Sequence, residues 1–236
     1  VAAPASPASP AQWNALHGSA SGEPLASVRL ANPLDGQAPY LRRSLIPGLL
    51  AVAHRNQARG FTDLALFETG LVFAPDDGVV YGTATVPPLA VRPDDETLAA
   101  LNASLPPQPR HAAVLLGGDI VSKQPGQPAV AAELSDALFA VQTIAAAAGV
   151  RIDVAQGQRA ALHPGRTGIL SVDGVEVGYV GEMLPQVAAA ADLHGRVYAA
   201  EPDLDRVLSL AGAPALAPPR SAYPATTADV SLPLAV

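Results

Sequence analysis

The chain has 236 residues, of which 49% are apolar, contains no cysteine and carries a formal net charge of −7. It is long enough to bury a sizeable core, and the absence of cysteine excludes disulfides and thiolate metal sites. The acidic balance argues against a nucleic-acid platform, because phosphate binding requires a basic surface. No apolar run approaches the roughly 20 residues of a membrane span, and no signal-peptide pattern is visible.

The N-terminal segment is rich in Pro, Ala and Ser over residues 1–10. Such a composition cannot build a core, so it predicts a flexible lead-in, which we extend to residue 25. A short helical turn around Trp13 and a short strand at residues 26–30 follow.

The clearest predicted helix spans residues 44–59. Ser44 suits the N-cap, Pro47 is tolerated in the first turn, and Gly60 suits the position after the helix. Apolar residues recur at three-to-four spacing and form a wide stripe, which fits burial on two sides. The stripe contains Leu45, Leu49, Leu50, Val52 and Ala53.

Residues 61–73 carry apolar side chains on both alternating faces and predict a buried central strand. The Asp-Asp-Gly turn at 76–78 predicts residues 79–86 as its hairpin partner. Further helices are predicted at 94–102, at 129–148 ended by Gly149, at 184–193, and at 204–210 started by Asp203. The acidic residues at 94–96 fit turn or cap positions better than acid–base catalysis. Strands are predicted at 110–116, 150–154 and 197–201.

The best-specified local structure is a hairpin between residues 168 and 179. Asp173 and Gly174 at its centre readily take the positive φ values of a two-residue type I′ turn. Strands that come as hairpins, with helices at irregular intervals, predict an α+β fold with a mostly antiparallel sheet.

Few residues form a pattern that carries chemistry. The histidines lack the helical spacing of metal ligands, so no metal site is predicted, and no phosphate-loop or nucleophile-elbow motif occurs. The five histidines are His17, His54, His111, His163 and His194.

Two features leave alternatives open. Glu68 in its apolar run is either a ligand-facing acid or the ion-pair partner of an arginine such as Arg42 or Arg166. The turn at residues 163–166 is either an anion-binding turn or a rigid strand entry with Arg166 paired to Glu182. An independent small-molecule-binding or hydrolytic enzyme would use Glu68, His163 and Arg166.

Several segments, taken in order, resemble bacterial phenylalanine–tRNA ligase β-subunits. Their order and spacing are more specific than any one of them, and together they cover most of residues 26–236. They are residues 32–34, YLRRSLIPGLL at 40–50, residues 56–60, LFETGLVF at 66–73, LHPGR at 162–166, GYVGEMLP at 178–185 and residues 223–225.

The resemblance implies the catalytic-like module of that subunit, a class II synthetase-like antiparallel sheet flanked by helices. It also implies that the module has no catalytic residues. Active class II domains carry an arginine two residues before an acid, where this chain has Leu66 before Glu68. They carry a second arginine at the end of a glycine-rich strand, where this chain continues from the strand at 178–182 to Met183. ATP and Mg²⁺ would serve the whole complex through the α-subunit, with no cofactor here. The motif residues that keep a structural role would be Glu68, His163, Pro164, Gly165, Arg166 and Glu182.

The resemblance also implies a domain division and partners. Residues 26–213 would form the module, and residues 214–236 a linker and the first strand of a truncated ferredoxin-fold anticodon-binding domain. The apolar stripe of the 44–59 helix would join a four-helix bundle with the α-subunit in a cytoplasmic (αβ)2 complex; alternatively it covers only its own sheet. Contacts to tRNA(Phe) would lie mainly in domains absent here, and no membrane contact is expected.

Overall fold

A computed structural model describes residues 15–34, 36, 39–83, 86–212 and 227–229. The predicted linker and truncated strand at 214–236 lie outside the described residues apart from 227–229, as do residues 1–14 of the predicted lead-in. No helix among the described residues is long and apolar enough to cross a membrane.

The described elements alternate irregularly between helix and strand, as an α+β fold requires. In chain order they are α1 Ile46–Gln57, β1 Leu64–Leu71, α2 Asp95–Ala103, β2 Arg110–Gly117, β3 Asp119–Val121, β4 Val130–Ala131, α3 Leu134–Ala148, β5 Asp153–Gln156, β6 Leu162–Val172, β7 Val175–Met183, α4 Pro185–Ala190, β8 Val197–Pro202 and α5 Leu204–Ser209.

Six strands form one sheet in the order β1-β2-β8-β7-β6-β5, and every neighbouring pair is antiparallel. The predicted α+β fold with an antiparallel sheet is therefore confirmed. Side chains alternate between the two sheet faces. Along β8, Val197 and Ala199 join one core cluster while Tyr198 and Ala200 join the other.

Helices cover both faces of this sheet. The first core cluster brings α1 and α4 onto one face through Leu49 and Val187. The second brings α3 and α5 onto the opposite face through Val141 and Val207. The sheet is thus a central layer between two helical layers.

The strand containing Glu68 was predicted to be central, and this was wrong. β1 lies at the edge of the sheet and pairs with β2, with Phe67 opposite Val114. The described part of residues 79–86 contains no strand. One face of β1 points outward, and Phe67 on that face is 78% exposed. Apolar residues on both faces of this strand therefore did not indicate that both faces are buried.

Local signals placed several helix ends correctly. Asp94 caps α2 by accepting from the N–H of Thr97, and Asp203 caps α5 by accepting from that of Arg206. Gly149 ends α3 in the left-handed conformation. α3 begins five residues later than predicted, because residues 130–131 pair in β4 first.

The Asp-Gly hairpin is confirmed, with φ values of 49° at Asp173 and 80° at Gly174. Gly178, further along β7, has a φ of 152°, and a Cβ there would lie 2.4 Å from the carbonyl oxygen of Glu201. Only glycine therefore lets β7 approach β8 this closely.

The described part of the predicted lead-in, residues 15–25, packs against the body of the protein. The N–H of Ala160 donates to the carbonyl of Ala20 at 2.9 Å. His17 is only 4% exposed. These contacts give residues 15–25 a defined position against the sheet.

Candidate functional site

The segment that enters α1 is held by three consecutive side chains. Arg42 pairs with Glu68 on β1, with 2.6 Å between Nη1 and Oε1. Arg43 donates from Nη1 to the carbonyl of Ala26 at 2.5 Å. Ser44 Oγ accepts from the N–H of Ile46 at 3.1 Å, although the N-cap of α1 is Leu45, one residue after the predicted Ser44.

Glu201 at the end of β8 is the most densely bonded side chain at this entry. It is 2% exposed and has four hydrogen-bond partners from three separate segments. Oε1 accepts from the N–H of Leu45 at 2.9 Å and lies 2.9 Å from Nδ1 of His111. Oε2 accepts from the hydroxyls of Ser44 at 2.5 Å and Tyr179 at 2.7 Å.

This carboxylate ties the start of α1 to the middle of the sheet. The first N–H groups of a helix lack partners within the helix, and the helix dipole favours an anion at that end. Leu45 has helical backbone angles, so its N–H is one of these unpartnered groups, and Glu201 supplies the acceptor. We call Glu201, Ser44, His111 and Tyr179 the carboxylate anchor of α1.

The surroundings of Glu201 keep it ionised. Burial alone would raise its pKa, but the hydrogen bond and charge of His111 and the donors at Ser44 and Leu45 outweigh burial and lower the pKa. Burial, reinforced by the charge of Glu201, raises the pKa of Tyr179 well above its ordinary value, so its hydroxyl stays a donor. The anchor is therefore an anion surrounded by donors.

Glu68 and Arg42 form the ion pair predicted as one of two alternatives. Arg42 Nε also donates to the carbonyl of Leu71 at 3.0 Å. The guanidinium crosses β1 directly over Gly70, where a Cβ would lie 2.4 Å from Nη2. A glycine at this position is what lets the arginine reach Glu68.

Substituting Gly70 with alanine is expected to lower the free energy of unfolding by about 2 kcal/mol, the value of a charged hydrogen bond. The added methyl group displaces the guanidinium of Arg42 from Glu68. Urea denaturation measures the loss. The control is Gly212→Ala, where nothing lies within 4 Å of the added Cβ. In an Arg42→Ala background, Gly70→Ala should cost nothing further; an undiminished cost there would contradict this mechanism.

Arg166 and Glu182 also form their predicted ion pair. Nη1 of Arg166 lies 2.7 Å from both carboxylate oxygens of Glu182, whose side chain is 5% exposed. The N–H of Gly165 donates to Nδ1 of His163 at 3.1 Å, which tightens the turn around Pro164. These contacts hold the strand entry in place.

Glu68, His163 and Arg166 do not come together. Glu68 lies on β1 and the other two on β6, and three strands separate β1 from β6. At a strand spacing of about 4.8 Å, the gap is roughly 19 Å. The hypothesis of one enzymatic site built from these three residues is therefore wrong.

The predicted interface residues of α1 are mostly occupied by the protein's own core. Leu45, Leu49, Leu50 and Ala53 are at most 3% exposed. Only Val52 is partly exposed. Any partner of α1 would therefore meet Val52 and its exposed neighbours, whereas the other four residues hold the helix on its own sheet.

Sequence reasoning missed the carboxylate anchor. Glu201 follows the apolar run VYAA, and the rule applied to Glu68, that a buried carboxylate needs a partner, would have flagged it as well. Its donors come from positions as far apart as 44 and 179, so no local pattern could identify them. No group of three potential metal ligands occurs among the described residues.

Comparison with known proteins places these features in a family. The family model described as "Phenylalanyl tRNA synthetase beta chain CLM domain" matches residues 5–204. The chain is 50% identical over 225 residues to the phenylalanine–tRNA ligase beta subunit of Leifsonia xyli, covering 94% of this chain and 26% of that protein. It is 42% identical over 214 residues to that of Streptomyces avermitilis, covering 87% and 25%.

The chain thus spans about a quarter of the length of these relatives. Among solved structures, a pyrrolysyl tRNA synthetase from Desulfitobacterium hafniense aligns with a TM-score of 0.49 at 13% identity. The alignment covers 78% of this chain and 53% of that one.

Proposed function

Since this chain belongs to the phenylalanyl-tRNA synthetase beta chain CLM domain family, we propose that it is a non-catalytic assembly module of the ligase β-subunit. It supports an α-subunit that attaches phenylalanine to tRNA(Phe) with ATP and Mg²⁺ in a cytoplasmic (αβ)2 complex. Contacts to tRNA lie mainly in the parts of the β-subunit beyond this chain.

One observation carries the proposal: the family-motif residues are used internally. Arg42 and Ser44 fasten the entry of α1, and Arg166 is paired with the buried Glu182. A triphosphate needs cationic or metal partners, and these motif arginines are already occupied by carboxylates.

A module without catalytic residues should bind neither substrate of the ligase reaction, ATP or phenylalanine. Neither ATP with Mg²⁺ nor phenylalanine should change the thermal midpoint of this chain, whereas a ligand at about 100 times its Kd would stabilise it by about 2.7 kcal/mol. Differential scanning fluorimetry measures both titrations. An upward shift with ATP that Arg166→Ala abolishes would contradict the non-catalytic proposal.

Assembly through α1 gives a second prediction. Val52→Asp should reduce co-purification with the α-subunit at least about tenfold, because a carboxylate buried without a partner costs more than 1.4 kcal/mol. Light scattering of the purified mixture reports the stoichiometry. The matched control is Phe139→Asp, which removes a 70% exposed apolar residue from α3 on the opposite face.

Equal capture of the α-subunit by Val52→Asp and wild type would move the contact away from α1. Loss of capture in Phe139→Asp alone would place the contact on α3. Both variants should keep the urea midpoint of the wild type, since neither position is fully buried.

A further inference from the structure

A cavity of about 410 Å³ lies between residues 15–25 and the sheet, beside the carboxylate anchor. This volume is within the range of small-molecule sites. One part of its wall is apolar and is formed by Leu16, Leu25, Ile46, Leu162 and Met183. Of the motif residues given a role above, Ser44 lines this space, whereas Arg42, Arg166 and Glu182 do not.

All three carboxylates that line the cavity are already engaged. Glu201 receives its four donors. Glu176 pairs with Nη2 of Arg159 at 2.6 Å. Asp203 accepts from the N–H of Arg206 at 3.0 Å and lies 3.9 Å from Nε2 of His111. A ligand ammonium group would therefore have to compete with these partners for a carboxylate.

The arginines that line the cavity are less completely paired. Among the described residues, the guanidinium groups of Arg43 and Arg206 donate only to carbonyls, those of Ala26 and Glu176, and neither lies within 4.0 Å of a carboxylate. Arg159 stacks on the ring of Tyr179 at 4.8 Å, and its Nε has no hydrogen-bond partner among these residues. The cavity thus has spare cationic donors.

We propose that this cavity binds a small molecule that has one carboxylate and an apolar body. The arginines hold the carboxylate through charge-assisted hydrogen bonds, and the apolar wall receives the body. Because the cavity's carboxylates are engaged, an amino acid of the same shape is rejected through its ammonium group. The site is independent of ATP and of α-subunit capture, so its failure would leave the proposed function intact.

Hydrocinnamate is the first ligand to test, because phenylalanine differs from it only by an ammonium group. Isothermal titration calorimetry of this chain should give saturable binding of hydrocinnamate. Phenylalanine and the uncharged hydrocinnamyl alcohol should each bind at least about tenfold more weakly, the value of one charged hydrogen bond. Equal binding of the alcohol, or no saturable binding of hydrocinnamate, would overturn the proposal.

Two variants locate the binding site. Arg43→Met and Ala161→Phe should each weaken hydrocinnamate binding at least about tenfold, the first by removing a donor and the second by filling the cavity. Arg196→Met is the matched control, since Arg196 is exposed and does not line the cavity. Should Arg43→Met lose its urea transition, Ala161→Phe decides alone. Unchanged binding in Ala161→Phe would place the molecule elsewhere and overturn the proposal.

Discussion

Glu201→Ala is expected to lower the free energy of unfolding by about 3–5 kcal/mol, the cost of breaking a buried charged network. The substitution leaves the hydroxyls of Ser44 and Tyr179 and the N–H of Leu45 without their acceptor in a buried site. It also removes the anion from the start of α1. Urea denaturation with an unchanged m-value measures the loss.

Two further variants separate the charge of Glu201 from its shape. Glu201→Gln keeps the shape but loses the anion and should cost about 2 kcal/mol. Glu176→Gln, at a half-exposed ion pair with Arg159, should cost about 1 kcal/mol or less. Equal costs for Glu201→Ala and Glu176→Gln would mean that the anchor contributes no more than a surface pair.

The stability of the chain is expected to fall as the pH is lowered from about 6.5 to 4, by roughly 3 kcal/mol from His17 alone. Burial, together with the charge of Arg43, lowers the pKa of His17 to about 4, and the charge of Glu201 only partly offsets this. In this pH range the unfolded chain binds a proton that the folded chain does not. Acidification therefore favours unfolding, and the contribution is complete below pH 4.

Urea unfolding at several pH values tests this expectation. His17→Gln should flatten the profile between pH 4 and 6.5, whereas His194→Gln, at an exposed histidine, should leave the slope unchanged. Glu201 has a lowered pKa, so its contribution is lost only below the ordinary glutamate range and stays separate. A slope that persists in His17→Gln would assign the pH dependence to another group.

Local chemistry made part of the fold predictable. The Asp173-Gly174 turn, the Asp94 and Asp203 caps and the glycine after α3 all depend on residues close in sequence, and all are confirmed. The ion pairs of Glu68 and Glu182 were predictable because a carboxylate in an apolar run requires a cation.

Long-range pairing set the limit. β1 pairs with β2, across a connection of more than 35 residues. The turn at residues 76–78 had instead indicated the adjacent residues 79–86 as its partner. The burial of His17 and the four donors of Glu201 depend on which segments meet in space. The periodicity of apolar residues within one segment does not indicate which distant segments it will contact.

The position of β8 has a consequence for the order of folding. This last strand of the sheet lies between β2 and β7, and its Glu201 completes the start of α1 from a separation of 156 residues. During synthesis, β1-β2 and β5-β6-β7 can form as two antiparallel units, but they cannot join until β8 has emerged. Until the chain reaches residue 202, β2 and β7 therefore each keep an unpaired strand edge. Contacts between residues this far apart in sequence also slow folding.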